Sequence, residues 1–385
     1  MLIRRLTLKN ILSFKETSVT LGPLNVLIGP NAVGKSNLIE AISLLQAHNG
    51  LEGQILRGGG VRQWLWLGGQ ERAHIAEIEC ELSLARGRQF GPVVYDLQFS
   101  DSGGFSIRHE YLAKAPPDGE FFFKRSSSRV EFGSQVQTLP NGVQSAEVPS
   151  NRSILAQFKS PLDPTPITEA GESLAQIRIF REFRTGAGSQ ARLGVSTGAP
   201  NDSLSDSADN LALVLHQLDF LGAHDRVREY LKRFCDRFED VKVDVGEGLA
   251  RPFLREAGLS DLLSGIRISD GTLKFLCLLA VLFHPKPAPL VCIEEPELGL
   301  HPDALRLVAE VLVEASERVQ LIVTTHSEAL VDALTDWPES VLVCERDFDN
   351  STQFKRYSSG ELNEWLEHYT LGELWRKGEI GGGRW

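Results

Sequence analysis

The chain has 385 residues, with 40 Lys+Arg against 51 Asp+Glu and a formal charge of −11. It is therefore not a polycation that coats nucleic acid or anionic lipid, and any DNA contact has to come from a local patch. Hydrophobic residues at 42% and charged residues at 24% fit a globular chain of two or three structural units, or one large α/β domain with an insertion, and exclude a disordered or disulfide-stapled one.

The first elements are β-rich. Ile3, Leu6, Leu8 and Ile11 are apolar among basic residues, and Leu24 to Ile28 reads as a short buried strand ending at Gly29. Ser36 to Gln46 places Leu38, Ile42 and Leu45 at helical spacing, so the order is strand, glycine loop, helix. From about 50 to 150 strand-like pieces alternate with Gly, Ser and Pro clusters, which predicts an antiparallel β lobe with exposed hairpins. Residues 151–183 and 205–238 have helical periodicity, separated by a Gly/Ser/Thr/Ala-rich loop at 185–200. Beyond 265 helices and strands alternate through Thr272–Phe283, Leu290–Ile293, Pro302–Ala315, Val319–Thr324, Glu328–Leu334 and Val341–Cys344, the pattern of a largely parallel sheet covered by helices. The longest apolar run, Phe275 to Phe283, is about half of the ~18 residues a membrane span needs and reads as a core helix. No internal repeat or long heptad run is present. Leu371, Leu374 and Trp375 form an apolar set that either packs back on the sheet or docks elsewhere. The Gly-rich segment 378–385, with Ile380, Arg384 and Trp385, is expected to be flexible and to anchor on a partner or a second subunit. Five cysteines without a C-x-x-C pair predict neither a zinc ribbon nor a disulfide frame, and with no apolar leader after Met1 they point to the cytoplasm.

Three motifs carry chemistry. Gly29-Pro30-Asn31-Ala32-Val33-Gly34-Lys35-Ser36, followed by Asn37, fits G-x-x-x-x-G-K-[ST] between a strand and a helix. The glycines let backbone N–H groups turn toward phosphate at a helix N-terminus, Lys35 meets the β/γ-phosphates, and the Ser36 hydroxyl suits Mg²⁺. Leu290 to Ile293 then runs into Glu294-Glu295-Pro296-Glu297; acids at the end of a buried strand are costly unless a cation or reactant uses them. Glu294 is expected to hold the Mg²⁺ shell and Glu295 to direct water, with Glu297 a loop acid. Thr324-Thr325-His326-Ser327 ends the next strand, and parallel sheets collect functional groups at these carboxyl ends, so His326 is a third candidate.

The set Gly29–Ser36, Ser269-Asp270-Gly271-Thr272, Ile293 to Pro302 and Thr325-His326-Ser327 resembles the RecF/SMC-like branch of ABC-type ATPases, and more narrowly the short ATPases related to the ATPase half of OLD-family nucleases. The resemblance implies an α/β fold: a P-loop head with a mixed or parallel sheet, an antiparallel β lobe and an inserted helical lobe. Residues 1–385 then form one head, with a nucleotide-binding core from 1–50 and 265–350, a β-rich lobe at 51–150, a helical lobe at 151–264, and a C-terminal helix and tail at 351–385. It implies ATP and Mg²⁺ as cofactors, Lys35, Glu295 and His326 as catalytic groups, and Ser269 and Gly271 as a signature that caps ATP held by a second copy, so that two heads dimerise around nucleotide. Ser269 or Asp270 also reads as a plain helix N-cap, and both readings are compatible. Glu294 stands where many relatives have Asp, and the Q-loop glutamine is unassigned among Gln54, Gln63 and Gln70.

Expected function is a nucleotide-driven dimeric switch that regulates a separate effector protein, as in bacterial anti-phage defence. The alternative is a DNA-binding ATPase of RecF-like repair. That alternative needs a basic face, for which Arg57 and Arg62, Lys124, Arg125 and Arg129, and Arg181, Arg184 and Arg192 are the candidates. A nuclease domain in cis is rejected, since only 59 residues follow His326 and no second D-x-D lies among them. A membrane partner is not expected.

Overall fold

The computed structural model describes residues 1–68, 73–85, 90–101, 103–117, 119–134, 136, 145–160 and 163–381. Gln70, Arg384 and Trp385 lie outside them. The chain forms two compact units, each discontinuous in sequence. The first comprises Met1–Ile177, Leu342–Tyr357 and the segment from Gly378; the second comprises Arg178–Val341 and Ser358–Lys377.

The first unit begins with β1 (Ile3–Ile11), β2 (Phe14–Thr20) and β3 (Leu24–Ile28), then α1 (Lys35–Gln46), α2 (Leu51–Arg57) and α3 (Val61–Trp64). Next come β4 (Ile75–Leu82), β5 (Val93–Asp101), β6 (Phe105–Lys114), β7 (Phe121–Ser126), β8 (Arg129–Phe132), β9 (Ser145–Glu147), α4 (Ile154–Gln157) and α5 (Pro166–Ala175). An antiparallel sheet of order β2-β1-β4-β5-β6-β7-β8-β9 dominates. Its register aligns Leu6 with Cys80 and Leu8 with Ile78, and the alternate residues Ala76, Ile78, Cys80 and Leu82 of β4 are buried, as period-two patterning requires. Within this sheet the fully buried Glu110 accepts from Ser153 Oγ at 2.6 Å, Tyr95 Oη at 3.0 Å and the Ile154 amide at 2.9 Å. Arg125, also fully buried, donates to the carbonyls of Ser127, Arg152 and Pro149. Satisfied in this way, the pair fixes β6, β7 and α4 together.

The second unit holds β10 (Arg178–Phe180), α6 (Gln190–Leu193), β11 (Val195–Ser196), α7 (Leu211–Phe220), α8 (His224–Phe234), β12 (Phe238–Gly246), β13 (Leu249–Glu256) and β14 (Leu263–Ser264). It continues with α9 (Asp270–Leu282), β15 (Leu290–Glu294), α10 (Leu305–Ser316), β16 (Gln320–Thr324) and α11 (Glu328–Asp332). The chain then contributes β17 (Val341–Arg346) and β18 (Thr352–Arg356), an antiparallel pair, before α12 (Ser359–Leu366) and α13 (Leu371–Lys377). Strands β10, β15 and β16 are parallel neighbours, with Cys292 opposite both Ile179 and Ile322. Every residue of β16 is buried, the signature of a parallel strand covered on both faces.

Three local readings change. The helical pattern over 151–183 stops at Ala175, and Arg178–Phe180 is strand, because pairing of Ile179 with Cys292 overrides the local spacing. Residues 51–64 contain the short helices α2 and α3. The tail does not begin as a free end: Ile380 is 2% exposed, and a side chain on Gly381 would run into the Glu345 carboxylate. Leu371, Leu374 and Trp375 are buried, with the Leu371 amide donating to Thr335 Oγ1 at 3.1 Å, so α13 packs back on α11. Among the described residues no helix is long and apolar enough to cross a membrane.

Candidate nucleotide-binding site

In the first unit β3 delivers the glycine loop and α1 receives it. Gly29 and Gly34 have φ of 144° and 113°, conformations in which a Cβ is strained. A Cβ on Gly29 would also sit 2.5 Å from the Cys344 carbonyl, and one on Gly34 would collide with Thr352 Oγ1 and Ser13 Oγ. No side chain caps α1, and although the Asn37 amide donates to the Gly34 carbonyl at 3.1 Å, the positive end of the helix dipole faces the loop and favours an anion there. Lys35 is 5% exposed, and its Nζ donates to the carbonyls of Gly29 at 2.8 Å and Pro30 at 3.0 Å. Asn31, Ala32 and Ser36 are exposed, Pro30, Gly34 and Asn37 half-buried, and Val33 buried. A cradle too tight for side chains, an uncapped 12-residue helix and a buried cation together fit a polyphosphate.

The second unit carries acids and a histidine at the carboxyl ends of β15 and β16, where Glu294 is opposite Thr324. Arg181 Nε lies 3.3 Å from Glu294 Oε1. Glu295 adopts φ 47°, a left-handed conformation costly for a non-glycine residue, and its amide donates to the Thr324 carbonyl at 3.0 Å. His326 Nε2 stands 3.8 Å from Glu295 Oε1. Glu297 proves to be more than a loop acid: its Oε1 accepts from Thr325 Oγ1 at 2.6 Å and from the His326 amide at 2.9 Å, which ties the acidic turn to the histidine. The sequence held no signal for this link, since the partners are 28 and 29 residues apart.

Ser269 caps α9, its Oγ accepting from the Thr272 amide at 3.1 Å. Gly271 is close to the Gly299 carbonyl, 2.9 Å from where a Cβ would stand. Asp270 receives the guanidinium of Arg192, which also donates to the carbonyls of Thr185 and Ile268. Of the basic residues considered for DNA, Arg125 and Arg192 are thus buried and Arg181 faces Glu294.

Gln54 donates to Ser43 Oγ at 3.1 Å, and Gln63 lies beside Gly59. Among the described residues no group of three or more His, Cys, Asp or Glu surrounds a common point. A Mg²⁺ held through one hydroxyl, one carboxylate and substrate phosphates needs no such group.

Comparison with known proteins defines the class. The model of a family described as "AAA domain, putative AbiEii toxin, Type IV TA system" matches residues 114–332, and that of an AAA ATPase domain matches residues 1–83. The chain belongs to the first of these families, and its fold is SMC-head-like. It is similar to the Chromosome partition protein Smc of Mycobacterium tuberculosis, at 30% identity over 97 residues, which is 25% of this chain and 8% of that protein. The fold is also that of a solved SmcHead bound to the C-winged helix domain of ScpA, with TM-score 0.59 and 15% identity over 93% of this chain and 99% of that one. It is likewise similar to the Smc head domain from Pyrococcus furiosus bound to the C-terminal domain of ScpA, with TM-score 0.58 and 15% identity over 95% and 98% of the two chains.

Proposed function

We propose that the chain hydrolyses MgATP at a composite site completed by a second copy, and uses the resulting switch to regulate a separate effector protein. The observation that carries this is the glycine cradle with buried Lys35 in a chain that also presents Glu294, Glu295 and His326 at strand ends. Lys35 leaves the Gly29 and Pro30 carbonyls to neutralise the β/γ-phosphates, and the α1 N-terminus binds the remaining negative charge. Ser36 and Glu294 would hold Mg²⁺, which would supply positive charge to offset the negative charge developing on the phosphates. Arg181, 3.3 Å from Glu294, balances the charge of that carboxylate. Glu295 orients the attacking water and draws on its proton, with His326 hydrogen-bonding near the transferred phosphoryl group. Ser269 and Gly271 of one copy reach ATP held by the other.

An effector partner, of the kind used in anti-phage defence, is supported by a family description that names a toxin of a type IV system. Burial of Arg125 and Arg192 weighs against the DNA-repair alternative. The free cysteines suit a cytoplasmic protein, and we retain the nucleotide core and the β-rich lobe as part of the proposal, but not a helical lobe at 151–264, where helices alternate with strands β10 to β14.

The test is paired measurement of nucleotide affinity and phosphate release. Glu295→Gln keeps the shape of the side chain but cannot take up a proton, so it should bind ATP within about twofold of wild type and lose ~10²-fold or more in turnover. Lys35→Ala should lose binding itself. Wild-type turnover in Glu295→Gln would remove Glu295 from the mechanism.

A further inference from the structure

The crest of the glycine loop is held by a hairpin more than 300 residues away in sequence. Arg346, the last residue of β17, donates through Nη2 to the Ala32 carbonyl and through Nη1 to the Asn350 carbonyl at 3.1 Å, across 314 and 4 positions respectively. Thr352, the first residue of β18 and fully buried, has its Oγ1 against the Val33 carbonyl and 2.7 Å from Ser13 Oγ, while its amide donates to the Ser13 carbonyl at 2.8 Å. A hydroxyl has one proton and a carbonyl only accepts. The Thr352 hydroxyl is the donor in both contacts, so its single proton is shared between the Val33 carbonyl and Ser13 Oγ.

This arrangement determines where two amides point. A trans peptide is planar, with its C=O and N–H directed oppositely. Anchoring the carbonyls of Ala32 and Val33 toward the hairpin therefore aims the N–H groups of Val33 and Gly34 away from it, toward the cradle. The anchor also holds Ala32 at φ 60°, a conformation that a residue with a Cβ leaves readily when nothing fixes it. We propose that the β17–β18 hairpin presets the phosphate-binding amides, with Thr352 and Arg346 as positioning residues for nucleotide binding. The inference rests on the nucleotide reading of Gly29–Ser36.

Thr352→Val conserves the branched shape and removes the proton; Thr352→Ser restores it. Affinity for ADP and a non-hydrolysable ATP analogue is measured by calorimetry on the full chain, alongside KM, kcat and melting temperature. Thr352→Val should weaken binding and raise KM about tenfold with kcat within about twofold, and Thr352→Ser should recover most of the loss. Arg346→Ala, at an exposed position, should weaken binding roughly three- to fivefold with an unchanged melting temperature. Binding by Thr352→Val within about twofold of wild type, or a loss that Thr352→Ser shares, overturns the proposal. Should Thr352→Val fail to fold, Arg346→Ala decides alone, and wild-type affinity in it is the overturning result. Lys35→Ala is the control: if it abolishes wild-type binding while the hairpin variants bind normally, the site reading stands and the hairpin role falls. A folded wild-type chain that binds neither nucleotide overturns both.

Discussion

Asp96, on β5, holds a carboxyl whose pKa is pushed up to about 7, by burial first and then by the charges of Glu77 and Glu79. Glu79 is directly opposite it in the register of β4 and β5, and among the described residues its Oδ1 has no hydrogen-bond partner. The unfolded chain loses this proton near pH 4. Between pH 4 and about 7 the folded chain therefore holds more protons than the unfolded one, and this contribution to stability falls as pH rises through that window, levelling off above it. Removing the ionisable group should help most where the group is charged. Asp96→Asn is expected to gain about 1–2 kcal/mol at pH 8, with the gain disappearing toward pH 4. Urea unfolding at both pH values checks it, and a pH-independent difference would show that the carboxyl is not the cause.

Among the elements, α13 is the clearest case of a short helix made stable by packing. It has seven residues, too few to persist alone in water, yet Leu371, Leu374 and Trp375 are all buried. Its approach to α11 needs glycine at 372, where a Cβ would stand 2.8 Å from the Glu328 carbonyl and closer still to the Asp332 carboxylate. Trp375→Ala should cost about 3–5 kcal/mol through the cavity it leaves, readable as a large drop in melting temperature. A loss below about 1 kcal/mol would mean that α13 is only loosely attached. The same reasoning separates two roles at α9. Ser269→Asp preserves the N-cap while placing a negative charge where the proposed partner nucleotide docks.

For the whole molecule the decisive experiment concerns copies. Chains with Ser269→Asp and chains with Lys35→Ala should each be inactive alone. In a mixed dimer one composite site carries both lesions and the other carries none. If single sites work independently, an equal mixture, half of it mixed dimers, should recover roughly a quarter of wild-type phosphate release. Verified mixed dimers without activity would show that each chain builds its own site or that both sites must fire together.

Contiguous chemistry was readable from the chain alone. Gly29 to Ser36 forms its cradle within eight consecutive residues, so spacing and flanking patterns were enough. Glu294 and Glu295 were visible because an apolar strand ends in acid, and α9 because its apolar residues recur around the whole helix. What supports these groups was not readable. Arg346 and Thr352 meet the loop across 314 and 319 positions, Glu297 reaches His326 across 29, and β10 is a strand because β15 lies beside it. Local periodicity records only which face of an element is apolar. The partner of a hydroxyl, a guanidinium or a three-residue strand is chosen when distant segments pack together, and only the tertiary structure decided that.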